Sequence, residues 1–333
     1  MTTEIRPLTG KTLYSANGEV LGSANGVRGS PRYRANWNGN LFAPPDSGCV
    51  LYYPGSPGVG TTIADFSYNF SDSAIDTDEA LDAGELAITC DADATAAIPV
   101  GSIIRIGTEL RKVTATGTTL TTVLYGPSEA HDTNQDIFVW LPNHGAITGA
   151  TWGREPSGLR VVNFDGDDYV TLANAASLDI LGDMTFLAWV YISSTSVSHY
   201  IFIRGQASTD GWDCYMNCSA SGAAFVYRTS QAAANQQSYT TDDYLALNSY
   251  HLIGISRSGA TAVLYANGAD TNNTHGTHVN PLTSARTAKI GRYDTATGYL
   301  EGRIGLMMLL SGVSQPASWH LDLYAQTRHL FGV

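Results

Sequence analysis

The chain has 333 residues, 43% of them hydrophobic and only 14% charged, with a net charge of −12. That length leaves room for about two domains or more and a sizeable core, and the Gly-rich, charge-poor mix excludes a coiled coil and suits a β-rich protein. Its only lysines are Lys11, Lys112 and Lys289, and no cluster of Lys and Arg that could displace nucleic-acid counterions is visible, so nucleic acid is not an expected partner; no apolar run is long enough to span a membrane.

Residues 1–45 do not read as a domain. The start, MTTEIRPLTGKTLYS, lacks the apolar core of a secretory signal. Gly and Asn break the stretch that follows, with turn dipeptides at Asn17-Gly18 and Asn25-Gly26. Arg32, Tyr33, Arg34, Trp37 and Phe42 lie close together in a segment that cannot bury its own aromatics. They predict an extended arm that orders on contact with another surface.

From Cys49 the pattern becomes β. CVLYYPGSPGVGTTIADFSYN (49–69) opens with an apolar strand and continues through Gly-rich turns. Within 86–141, IIRI (103–106), ELRKVTA (109–115), TLTTVL (119–124) and DIFVWL (136–141) predict four short strands joined at Gly107, Gly117 and Gly126. So small a set of strands must close into a barrel or dock to hide its edges. NHGAITGATW (143–152) then leads into NFDGDDYVTL (163–172), a strand, an acidic turn and a second strand. Asp165, Asp167 and Asp168 allow two readings of that turn. One is a solvated turn whose Asp side chains bond their own backbone; the other is a calcium position, because calcium takes clustered oxygen ligands.

In GWDCYMNCSA, alternation puts Trp212, Cys214, Met216 and Cys218 on one face of a strand and Asp213, Tyr215 and Asn217 on the other. Cys214 and Cys218 are too far apart along a strand to bridge, so both are expected as buried free thiols. The thiols favour folding in a reducing cytosol. The loop HGTH (275–278) reads as solvated, with no metal set among the histidines. The end, SQPASWHLDLYAQTRHLFGV (314–333), predicts a helix capped at Ser314 that packs Trp319, Leu323 and Leu330.

Several of these segments together resemble the laminin-G-like, concanavalin A-type lectin/glucanase domains. They are FDG followed by DYV, SLDILGDMTFLAWVY (177–191), Tyr250 to Ile255 with LYANG (264–268), AKIGRYD (288–294) and YLEGRIGLMML (299–309). The resemblance implies a two-sheet antiparallel jelly-roll sandwich. The stretch 49–69 resembles that family's opening, and its continuation reappears only at 143–152. This predicts an arm over 1–45, a discontinuous sandwich over 46–70 and 142–333, and an inserted β module over 71–141. In the family, the acidic turn is completed by a carboxylate on the last strand, where Gly305 stands here.

The order VGSIIRIGTELRKVT, TLTTV, Gly126 and His131 resembles small β modules of tailed-phage structural proteins. That resemblance implies a non-enzymatic virion protein, a capsid decoration or a tail or fibre component, assembled in the host cytoplasm. Its expected partners are other virion proteins, host-surface glycans and further copies of itself. The alternative is a carbohydrate-binding module or adhesin. Retaining glucanases need paired carboxylates about 5 Å apart, and no E-x-D-x-E occurs among the eight glutamates, so no enzyme is expected. No cofactor is expected beyond calcium at Asp165, Asp167 and Asp168.

Overall fold

The computed structural model describes residues 12–14, 20–23, 48–55, 58–195 and 198–333. Arg32, Tyr33, Arg34, Trp37 and Phe42, the expected anchors, lie outside the described residues. What is described falls into two compact units. One comprises 68–141 with the strand pair Thr12–Tyr14 and Val20–Ser23; the other comprises 48–67 and 142–333. Among the described residues no helix is long and apolar enough to cross a membrane.

In the first unit six strands run in the order Phe70–Asp76, Asp136–Trp140, Ile103–Ile106, Glu109–Thr116, Leu120–Val123, Ala87–Thr89. Thr77 then bridges Cys90, and the Asp78 N–H reaches the Thr89 carbonyl at 2.9 Å, joining the first strand to the last. The sheet closes on itself, which removes both edges. Alternation supplies the filling: Ile75, Ile88, Ile104, Ile106, Val113, Val123, Ile137 and Val139 form one buried cluster.

The second unit is a sandwich of antiparallel sheets. The nine-stranded sheet runs Asn272–Thr274, Ala234–Thr240, Ala223–Gln231, Asp210–Cys218, Ser198–Gln206, Lys289–Ile290, Tyr169–Leu172, Gly145–Thr148, Thr62–Ile63. The other runs Thr151–Arg154, Arg160–Asp165, Glu301–Ser311, Met184–Ile192, Tyr250–Ser258, Thr261–Ala266, Ala269–Asp270. Cys49–Tyr53 pairs with Met307 to Leu310 of the long strand, beyond the stretch that Arg160–Asp165 occupies. The expected jelly-roll sandwich is therefore present.

Two clusters explain why the strands read so differently. Phe186, Ala188, Val190, Met307 and Leu309 face the nine-stranded sheet across the main core. Leu187, Trp189, Leu306, Met308 and Leu310 face the other way, into a second cluster with Leu323, Leu330 and Phe331. MTFLAWVYI and GLMMLL are nearly continuous apolar runs because both of their faces are covered. The cover is the helix Ala317–Thr327 with the turn Arg328–Leu330. Trp189 stacks on Phe331 at 4.4 Å between ring centroids and donates its indole N–H to Thr327 Oγ1 at 2.9 Å. The helix begins at Pro316 with no side-chain cap, not at the expected Ser314.

The strand Asp210–Cys218 is covered on one side only, so it alternates, and Trp212, Cys214, Met216 and Cys218 all enter the main core. All four cysteines are free and buried. Asp65 ties 48–67 to 142–333. Its Oδ1 accepts the Tyr52 and Ser67 N–H groups at 2.8 and 2.9 Å, and its Oδ2 accepts the Asn143 N–H at 2.7 Å and the Ser67 hydroxyl at 2.9 Å. Burial pushes this carboxyl up to about 6 in spite of those bonds.

Candidate functional site

The outer face of the nine-stranded sheet has no helix over it and carries a set of half-buried tyrosines with two buried charged side chains among them. Because Cys214, Met216 and Tyr227 point inward, Asp213, Tyr215 and Arg228 point outward, and a bulge between Tyr200 and Phe202, where Ile201 and Phe202 both enter the core, turns Tyr200 out beside them. Register sets Tyr200 opposite Tyr215 and Asp213 opposite Arg228. The Tyr200 ring stacks on Tyr215 at 4.9 Å and meets Tyr293 at 4.8 Å. The Arg228 guanidinium lies 5.3 Å from the Tyr215 centroid and donates to the Tyr200 hydroxyl at 3.1 Å.

Beneath the rings sits a buried ion pair. Arg228 Nε and Nη2 both donate to Asp213 Oδ2, at 3.0 and 2.7 Å, while Oδ1 is buried with no hydrogen-bond partner. Desolvation pushes the Asp213 carboxyl up to about 6 although Arg228 pulls it down, and the Arg228 guanidinium is held more firmly protonated. Burial, reinforced by the Asp213 charge, also raises the Tyr200 hydroxyl. It stays a neutral donor at ordinary pH.

Around this centre the charges are paired. Arg286 bonds Asp294 at 2.6 Å and lies 3.7 Å from Asp210, and Lys289 Nζ lies 3.5 Å from Asp294. Arg292 sits 3.8 Å over the Tyr169 ring and donates to the Tyr299 hydroxyl at 3.3 Å. Such a surface offers flat apolar ring faces edged by donors and acceptors held in place. That is the chemistry that recognises a sugar, which has an apolar C–H face and a rim of hydroxyls. Alternation in the sequence already placed Asp213 and Tyr215 on the polar face. The opposing Tyr200 and Arg228, and Tyr293 from a distant loop, needed the register.

The acidic turn is also well defined. Arg160–Asp165 belongs to one sheet and Tyr169–Leu172 to the other, so the turn is where the chain crosses the sandwich. Asp165, Asp167 and Asp168 bring one oxygen each within 4.8 Å of the others. Asp165 and Asp167 are exposed and Asp168 is buried. Asp168 Oδ2 accepts the Asp165 N–H at 3.1 Å, and burial raises its carboxyl, with Asp165 and Asp167 adding repulsion. Gly305 has no part here, because it lies under the Phe331 ring on the opposite face. The last strand instead sets Glu301 opposite Asp165, and the Glu301 side chain comes within 3.0 Å of where a Cβ would stand at Gly166. Crowded carboxylates with no cationic side chain paired to them among the described residues fit a hard cation such as calcium. Asp165, Asp167 and Asp168 would hold it, with Glu301 beside them.

The HGTH loop departs from expectation. His275 is exposed, but His278 is buried at 2% exposure between Thr229 Oγ1 at 3.0 Å and Ser238 Oγ at 2.9 Å. Its ring closes the edge of the core against Tyr227.

Residues 164–317 match the family model described as the concanavalin A-like lectin/glucanases superfamily, and the fold is lectin-like in that sense. Solved structures similar to the chain include domain 4 of AbnA, a GH43 extracellular arabinanase from Geobacillus stearothermophilus, in complex with arabinotriose. It is 13% identical over 54% of this chain and 87% of that one, with a TM-score of 0.42. The botulinum neurotoxin type G receptor-binding domain is 11% identical over 55% and 46%, TM-score 0.41. The binding domain of Paraclostridial Mosquitocidal Protein 1 is 11% identical over 54% and 46%, TM-score 0.43. The chain thus spans about half the length of the two toxin domains. No curated protein matches it.

Proposed function

We propose that this protein binds glycans without cleaving them, through the outer face of the nine-stranded sheet. The observation that carries the reading is the platform of Tyr200, Tyr215 and Tyr293 over the buried Asp213–Arg228 pair. The rings supply apolar faces for a sugar ring, and the ion pair fixes the donors beside them. The carboxylate at its centre is engaged by Arg228, an arrangement suited to holding a ligand. A glycan array probed with the full chain tests this. Saturable binding that falls at least tenfold in Tyr215→Ala is the expected result, and an array with no saturable binding overturns it.

A second reading concerns setting. The segment 100–131, which resembles small β modules of tailed-phage structural proteins, lies in the closed barrel. This favours a virion component, of capsid or tail, that carries the sandwich outward. On that reading residues 1–45 anchor the chain to other virion proteins. Deleting them should abolish loading onto particles; truncated protein that still loads sinks the anchor.

A further inference from the structure

Apart from the tyrosine platform, the sandwich holds a cavity of about 420 Å³ at one end of the helix-covered sheet. Glu155, Tyr191, Asn248, Tyr250, Arg303 and Phe331 line it. The size is that of a small-molecule site, and its polar groups are arranged. Glu155 is 8% exposed, and its Oε1 accepts both the Tyr250 hydroxyl at 2.6 Å and Arg303 Nη1 at 3.2 Å. Both donors fall on one oxygen, leaving Oε2 without a partner among the described residues. Arg303 is 43% exposed along its side chain and bonds both Glu155, through Nη1, and the Tyr250 hydroxyl, and a guanidinium with five N–H groups has donors to spare. Its guanidinium rests 5.1 Å from the Tyr191 centroid, and Tyr191 packs on Tyr250 at 5.3 Å. Ser157 donates to the Leu330 carbonyl at 2.6 Å and holds the 329–333 segment as a wall.

An acceptor and a donor side by side, on groups whose charges cancel, select among ligand classes. A free carboxylate or phosphate would gain Arg303 but meet Glu155. A cation would gain Glu155 but meet Arg303. A neutral pair of adjacent hydroxyls satisfies both, since each hydroxyl donates and accepts. Tyr191 and Pro156 supply an apolar wall for the C–H face of the ring that carries them.

We propose that the Glu155–Arg303 pocket binds a neutral pyranose through a vicinal diol. This site is separate from the tyrosine platform and does not depend on it. The test is saturation-transfer NMR on the full chain with methyl α-D-mannopyranoside, methyl α-D-glucopyranoside and methyl β-D-galactopyranoside. Methyl β-D-glucuronoside serves as the acidic comparison. Arg303 and Tyr191 both reach solvent, so Arg303→Ala and Tyr191→Ala can be checked for unchanged melting before binding is read. At least one neutral glycoside should bind, and each variant should weaken it tenfold or more. Failure of all three to bind overturns the proposal, and so does tenfold tighter binding of the glucuronoside. Binding lost in Tyr215→Ala but kept in Arg303→Ala and Tyr191→Ala assigns the sugar to the other sheet. That result overturns the pocket while leaving the platform intact.

Discussion

The two sheets of the sandwich treat their outer faces in opposite ways. One is sealed: Leu187, Trp189, Leu306, Met308 and Leu310 lie under Leu323, Leu330 and Phe331. The other is left uncovered, and alternation presents Asp213, Tyr215 and Arg228 while the bulge after Tyr200 turns that ring out beside them. A sheet buried on both faces contributes stability in proportion to the apolar area it hides. A sheet buried on one face frees its other face for recognition, at the cost of holding charged groups in place. Away from the Glu155–Arg303 pocket, stability and binding should therefore separate by sheet, and mutations can break that division.

The largest effect is expected on the sealed side. Trp189→Ala removes a fully buried indole, its stack on Phe331 and its bond to Thr327, and should cost about 3–5 kcal/mol in denaturant unfolding. Arg228→Ala breaks the division from the other side. It strands Asp213, 1% exposed, as an unpaired buried carboxylate, at a cost of roughly 3–5 kcal/mol. Replacing both, as Asp213→Leu with Arg228→Met, should recover most of that stability without restoring glycan binding. If the double variant still binds, the platform does not depend on the ion pair.

How much of this was legible depended on how far apart the interacting residues lie. The sandwich, the buried cysteines of Asp210–Cys218 and the closing helix rest on local periodicity, which is written residue by residue. The platform does not, because Tyr200, Arg228 and Tyr293 reach Tyr215 and each other only through strand register and a loop. The acidic turn shows both cases. Its carboxylates are contiguous in sequence, while the nearby Glu301 follows from a pairing that motif alignment shifted to Gly305. His278 illustrates a further limit: a Gly- and Asn-rich loop looks solvated until two neighbouring strands each supply a hydroxyl for its ring.

Acid titration sharpens the comparison, since each sheet carries an opposing pair of signs. Burial holds His278 down to about 4 and His320 down to about 3. Ser256 gives its one proton to the Gln315 carbonyl, so His320 donates from Nε2 and its buried Nδ1 stays bare. The unfolded chain takes these protons first, near pH 6.5, so this stability is present above that pH and is lost as pH falls through the folded values. Keeping His278 neutral down to about 4 corresponds to roughly 3 kcal/mol. Asp65 and Asp213, raised to about 6, act in reverse and gain stability as pH falls from about 6 to about 4. Wild-type stability should therefore fall by about 1 kcal/mol between pH 7 and 5, and burial of His144 and His251, which holds both imidazoles down, adds to that fall. His320→Gln, whatever its offset, should make the fall about 2 kcal/mol smaller; an unchanged slope would show that His320 is not held neutral.

Tyr215→Ala should be nearly silent in melting and cost about tenfold in glycan affinity, roughly 1.4 kcal/mol. This is the reverse of the Trp189 result, and a large loss of stability from it would erase the distinction between the faces.

The smallest effect concerns the crossover between the sheets. Of the three carboxylates there, Asp168 is buried and already gives one oxygen to the Asp165 N–H, while Asp165 and Asp167 stand in solvent. A calcium ion would gain from relieving their mutual repulsion but would complete its shell mainly with water. That places the affinity with weak sites, Kd on the order of 10⁻⁴ to 10⁻³ M. Millimolar calcium should then stabilise by only about 1 kcal/mol, read as a small rise in melting temperature that EDTA reverses and Asp167→Asn reduces. A melting temperature indifferent to both calcium and EDTA would leave the turn as a crossover whose buried Asp168 serves the backbone alone.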